Sequence, residues 1–166
     1  MKNEGKKGQI DLSFGFIFGI IIVIATVAVA FYAITYFLNI QKCANIGLFY
    51  NNLGSEINKS WVANGETINK PFTRTVPESV KSVCFGNLSS IIVSSDSKEQ
   101  YMVLKKKFEG EEKNVFLYPT KSACNQGSFN LQHIKVDRFF CINQTKGKVT
   151  VKISRNFTEP LVTLTR

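Results

Sequence analysis

From Leu12 to Gln41 the chain runs for 30 residues without a charged side chain, and 23 of those residues are apolar. Roughly 20 consecutive apolar residues suffice to cross the hydrocarbon core of a bilayer. As a helix rising ~1.5 Å per residue, this run is about 45 Å long. An ordinary cleaved secretory signal has an apolar core of only about 7–15 residues and a small-residue cleavage site. This run instead leads into Ile40-Gln41-Lys42-Cys43. A retained membrane segment is therefore expected, and a wholly soluble chain is excluded. The 44% apolar content of the 166 residues describes neither this segment nor the rest.

The flanks set an orientation. Lys2, Lys6 and Lys7 precede the run, and only Lys42 follows it closely. The basic side stays in the cytoplasm, which places residues 42–166 outside the cell. Two further features agree with that placement. All four cysteines, Cys43, Cys84, Cys124 and Cys141, lie downstream and include no CxxC pair, as expected of an exterior disulfide framework. Sequons occur at Asn58, Asn87, Asn143 and Asn156, and they make these four residues candidates for N-glycosylation.

The junction Lys6-Lys7-Gly8-Gln9-Ile10-Asp11-Leu12 sets a short basic leader directly against the uncharged run. It resembles the class III signal of archaeal type IV pilins. The resemblance covers about a dozen residues plus the hydrophobic stretch. It implies cleavage by a prepilin peptidase between Gly8 and Gln9 on the cytoplasmic side, leaving the whole helix on the mature chain. Losing Lys2, Lys6, Lys7 and Glu4 lowers the formal charge from +9 to +7. The fifth mature position, a Glu in bacterial pilins, is Ser13 here, and Asp11 is the candidate assembly contact beside the new amino group. A carboxylate there also favours the positive end of a helix. Gly15 and Gly19, four residues apart, fall on one helix face and suit close packing of helices in a membrane.

Beyond the run, Cys43, Ile46, Tyr50, Leu53, Ile57 and Trp61 recur every three or four residues, the stripe of an amphipathic helix. Asn64-Gly65 supplies a stop. Residues 66–79, polar and broken by Pro71 and Pro77, read as a loop. Strands are then expected at Val80–Leu88, Ile91–Val93, Gln100–Phe108, Val115–Tyr118, His133–Asn143, Val149–Ser154 and Leu161–Thr165. The organisation expected is a leader (1–8), a membrane and filament-core helix (9–41), its amphipathic continuation (42–65) and a β-sheet domain (66–166). The fold class is α+β: a long N-terminal helix packed on a mainly antiparallel sheet of about five to six strands, which matches the type IV pilin plan.

Residues for chemistry are sparse. His133 is the single histidine, and cysteine spacings of 41, 40 and 17 do not suit a zinc site. Neither a catalytic nor a metal site, nor a cofactor, is expected. Four cysteines allow three pairings; Cys43–Cys84 with Cys124–Cys141 is the local choice, and Cys84–Cys141 with Cys43–Cys124 is the other that strand placement favours. Residues 42–166 carry 18 basic and 10 acidic side chains, densest at Lys105–Lys107 opposite Glu109, Glu111 and Glu112. A surface of that sign attracts polyanions, although no aromatic interleaving points to specific nucleic-acid binding.

The resemblance implies a structural subunit of a surface filament, adhesive in some settings, whose core is built from helices of identical copies. Its partners are then those copies, the prepilin peptidase, an assembly ATPase with its membrane platform protein, and the lipid bilayer before assembly. The alternatives are a single-pass anchored binding module that never polymerises, and a minor pilin or pseudopilin.

Overall fold

The uncharged run and the amphipathic stripe form one helix, α1 (Phe14–Val62). The computed structural model describes residues 14–63, 67–89 and 92–166. The Gly8–Gln9 junction, Asp11 and the Asn64-Gly65 stop lie outside them. The chain divides into two units, Met1–Ile40 and Gln41–Arg166. The described part of the first unit is helix throughout. Thr26 and Thr35 sit inside it without stranded hydroxyls. Thr26 Oγ1 donates to Val23 O (2.9 Å), and Thr35 Oγ1 donates to Tyr32 O (2.9 Å) and Phe31 O (3.1 Å). Such back-bonding satisfies the hydroxyls where no water is at hand.

The second unit packs the C-terminal part of α1, two sheets and a second helix around two apolar clusters. Its strands are β1 (Ile68–Thr75), β2 (Ser82–Phe85), β3 (Val115–Tyr118), β4 (Ser128–Phe129), β5 (Ile134–Lys135), β6 (Phe140–Asn143), β7 (Lys148–Arg155) and β8 (Val162–Thr165); the second helix is α2 (Lys98–Phe108). Among the described residues they form two four-stranded sheets, ordered β1-β7-β8-β5 and β4-β3-β2-β6. Every pair is antiparallel except β5 with β8.

Side-chain alternation explains the layering. In the first sheet Val149, Val151 and Ile153 of β7 are buried while Lys148, Thr150 and Lys152 are exposed, so one face meets the core and the other water. The second sheet is buried on both faces. Val83, Phe85, Val115 and Leu117 join the main core with Ile46, Phe49, Leu53 and Ile57 of α1. The alternating residues Cys84, Phe116 and Cys141 pack with Tyr101, Leu104 and Phe108 of α2. The stripe predicted from the sequence is thus the face that α1 buries, with Phe49 added to it. Phe49 meets Phe72 of β1 edge to face at 6.3 Å, and Tyr50 stacks on Phe129 at 4.6 Å.

Several expectations need correction. Residues Gln100–Phe108 are not a strand but most of α2. Tyr101, Leu104 and Phe108, spaced three and four apart, are the buried face, and Lys, Leu, Met, Gln and Glu are good helix formers. The stretch 66–79 is not all loop, because β1 pairs with β7 over eight residues. Exposure alternates through the first half of β1, but Lys70 shares the less exposed side with Ile68 and Phe72, so no apolar alternation marks it in the sequence; Pro71 is tolerated because β1 lies at a sheet edge. His133–Asn143 is not one strand. β5 belongs to the first sheet and β6 to the second, and the chain crosses between them through Val136–Phe139. Within Val80–Leu88 only Ser82–Phe85 is strand, and Val93 makes an isolated parallel bridge to Phe139.

Candidate functional site

In the first unit every large apolar side chain from Phe16 to Ile40 is exposed, with Tyr32 and Phe37 reaching 71% and 70%. The helix is long and apolar enough to cross a membrane once. Gly15 and Gly19 lie in a shallow apolar groove with Phe16, Ile20, Val23 and Ile24. A side-chain carbon added at Gly19 would meet no atom within 4 Å, so the groove is open in the single chain. Apart from the exposed ring pair Tyr32–Tyr36, stacked at 6.3 Å, polar features are few along this surface.

In the second unit the cysteines pair as Cys43–Cys124 and Cys84–Cys141, the second of the two arrangements left open by the sequence. Cys84 and Cys141 stand directly opposite in the β2–β6 register, both facing α2. Cys43 links α1 to the turn after β3, where Cys124 and Asn125 adopt positive φ. Tyr50 reinforces that link, its hydroxyl donating to Gln126 O (2.9 Å), and burial raises the pKa of the phenol.

The far end of α1 is closed by residues that the sequence did not single out. Arg155 Nη1 donates to the carbonyls of Ser60 (3.0 Å), Trp61 and Ala63 (3.1 Å), while its Nε donates to Glu159 O (3.1 Å). These carbonyls are of the kind that a helix C-terminus leaves unpaired, and a cation there also suits the helix dipole. Trp61 donates from Nε1 to Pro160 O (3.1 Å), and its ring stacks on His133 at 3.6 Å. His133 is thus held in packing against the helix end. Glu56 of α1 pairs with Lys70 of β1 at 2.5 Å, and that bond is the main reason its carboxyl lies below the ordinary range.

The four sequon asparagines are all exposed, but they occupy different backbones. Asn58 is inside α1, Asn87 opens the turn after β2, Asn143 ends β6, and Asn156 opens the turn after β7. Lys105–Lys107 form the last turn of α2, where cations favour the helix dipole. Lys105 and Lys107 also lie over the rings of Tyr101 and Phe108. The ion pairs among the described residues are Lys70–Glu56, Lys135–Asp137 and Arg166–Asp96; none joins the lysine run to Glu109, Glu111 or Glu112. Among the described residues no three His, Cys, Asp or Glu side chains gather as metal ligands would. No protein-family model, curated protein or solved structure matches this chain.

Proposed function

We propose that this chain is a structural subunit of an archaeal type IV pilus-like surface filament, structural and not catalytic, and adhesive in some settings. The observation that carries the reading is the contrast between the two units. The second has its own closed core and two disulfides, whereas the first exposes every large apolar side chain from Phe16 to Ile40. Such a surface is satisfied by lipid or by other apolar helices. Lipid tails are as apolar as these side chains, so close packing and not water exclusion must select the helical partner. The Gly15–Gly19 groove provides for backbone approach on one face. The leader ending in Lys6-Lys7-Gly8 adds the processing step. A prepilin peptidase removes residues 1–8, an assembly ATPase and platform protein draw the helix from the bilayer, and copies of the second unit form the filament's outer shell.

The test joins N-terminal sequencing and intact mass of sheared surface protein with negative-stain imaging using an antibody to the second unit. The expected result is Gln9 as first residue, in filaments that bind the antibody along their length. Retained Met1 in surface protein refutes the processing step. A chain that stays in membranes and never appears in filaments is instead an anchored binding module. Labelling confined to filament ends identifies a minor pilin. Gly19→Leu is expected to abolish filaments while the protein still accumulates in the membrane.

A further inference from the structure

The four sequons are equivalent as tripeptides but not as pieces of structure. Glycan transfer joins the asparagine Nδ2 to the anomeric carbon of a lipid-linked oligosaccharide. The carbon–oxygen bond to the lipid phosphate breaks, the lipid phosphate leaves, and Nδ2 gives up one proton. The transferring enzyme must hold the amide together with the hydroxyl two residues on. Whether the folded chain can present both groups is a question of geometry.

Asn58-Lys59-Ser60 fails it. Residues i and i+2 of a helix do not share a face, and here Asn58 is exposed while Ser60 is 0% exposed. The Ser60 hydroxyl donates to Glu56 O at 2.8 Å, and Ser60 O accepts from Arg155. Presenting this sequon requires the last turns of α1 to unwind, withdrawing Ile57 from the core.

Asn156-Phe157-Thr158 meets it best. All three residues are exposed, in a turn closed by the Glu159 N–H donating to Asn156 O at 2.9 Å. Asn87-Leu88-Ser89 is only partly open, because Leu88 is buried in the α2 cluster and its carbonyl accepts from the Tyr101 hydroxyl at 2.7 Å. The Ser89 N–H donates to Asn87 Oδ1 at 2.8 Å, an Asx-turn that brings the amide and the third residue to one side. Asn87 and Ser89 are both exposed and line a polar groove of about 740 Å³ that also includes Glu109, Lys113 and Asn130, so a bulky polar substituent has room there. Asn143-Gln144-Thr145 is intermediate. Asn143 and Thr145 are both exposed, but the Gln144 N–H donates to Lys81 O (2.9 Å) and the Thr145 N–H to Lys148 O (2.8 Å), which ties the backbone into the hairpin.

We infer that the folded chain carries N-linked glycans chiefly at Asn156, fewer at Asn87 and Asn143, and none at Asn58, whose partner hydroxyl is sealed against the core. The inference rests on the exterior placement of residues 42–166 in the proposed reading, but not on polymerisation.

The test has two arms. Glycopeptide mass spectrometry of the full chain from its native membranes reads occupancy at each asparagine. In vitro, the unglycosylated full chain in detergent is given a single-subunit oligosaccharyltransferase and lipid-linked oligosaccharide, once folded with disulfides intact and once reduced, alkylated and denatured. Expected in both folded samples is the order Asn156, then Asn87 and Asn143, with Asn58 bare. Denaturation should raise transfer to Asn58 by roughly ten-fold or more, because the opening it needs is rare in the native state. Asn58 modified in the folded chain as readily as Asn156 overturns the inference. A native chain bare at all four sites, yet modified at Asn156 in vitro, overturns the claim that the chain carries these glycans while leaving the geometric ranking intact.

Discussion

Replacing Cys43 and Cys124 by alanine removes the covalent link between α1 and the turn after β3, and its cost can be worked from topology. The bridge closes a loop of 81 residues. Chain entropy alone assigns a loop of that length ~4.5 kcal/mol. The second bridge shortens the unfolded path, because the cysteines interleave. From Cys43 to Cys84 is 41 residues, and from Cys141 back to Cys124 is 17. Taking that shorter route lowers the expectation to ~4 kcal/mol. Native contacts do not offset the loss, since the Tyr50–Gln126 hydrogen bond and the Tyr50–Phe129 stack are present with or without the sulfurs. The assay is urea unfolding of the full chain in detergent, followed by the fluorescence of Trp61, the single tryptophan, stacked on His133. With a urea m-value of about 1.5–2 kcal/mol/M for a unit of this size, the midpoint should fall by about 2–3 M. A fall of less than about 0.5 M with an unchanged m-value would mean that the bridge contributes ~1 kcal/mol or less, and would refute the loop-entropy argument.

Arg155→Met leaves the carbonyls of Ser60, Trp61 and Ala63 without their shared donor. A loss of about 2–4 kcal/mol is expected in the same titration, with Arg155→Lys recovering part of it; equal stability of all three chains would dismiss the capping role. Gly86 has φ +121°, and a Cβ there would lie 2.9 Å from Phe139 Cα, whereas Gly110 at φ +84° has open space. Gly86→Ala should therefore cost about 2–4 kcal/mol and Gly110→Ala only about 1, so matching thermal midpoints for the two variants would contradict this account. The Arg166 guanidinium bonded to Asp96, helped by Ser94, holds the Asp96 carboxyl at about 2, below its ordinary 3.8. The folded value is the depressed one, so the stabilisation is complete above pH 3.8 and disappears as pH falls toward 2. An NMR titration of the Asp96 carboxyl carbon should give a midpoint near 2 that rises in Arg166→Gln, and a midpoint already at the ordinary carboxylate value before the substitution would sink the pairing.

Much of the second unit was legible where a residue's environment repeats locally. The α1 stripe from Ile46 to Trp61 and the Val149-Val151-Ile153 alternation each follow from a single element with one wet and one dry face. Legibility failed where the apolar pattern is interrupted or ambiguous. In β1 the less exposed residues are Ile68, Lys70 and Phe72, and the lysine breaks the apolar pattern that its eight-residue pairing with β7 would otherwise leave. α2 is short, and its buried Tyr101 and Leu104 flank the exposed Met102 and Val103, an apolar run of four that a helix and a strand can share.

The candidate sites divide in the same way. By itself the sequence determined a charge-free helix with a Gly15–Gly19 face, a lysine-rich stretch before it, four cysteines and four sequons, because composition, charge and tripeptide chemistry are properties of neighbouring residues. Only the tertiary structure decided that Cys84 meets Cys141, that Arg155 closes the end of α1, and that Ser60 is sealed while Thr158 stands in the open. Those outcomes depend on strand register and on which helix face meets a sheet. Both are fixed by packing between segments tens of residues apart, which no local periodicity encodes.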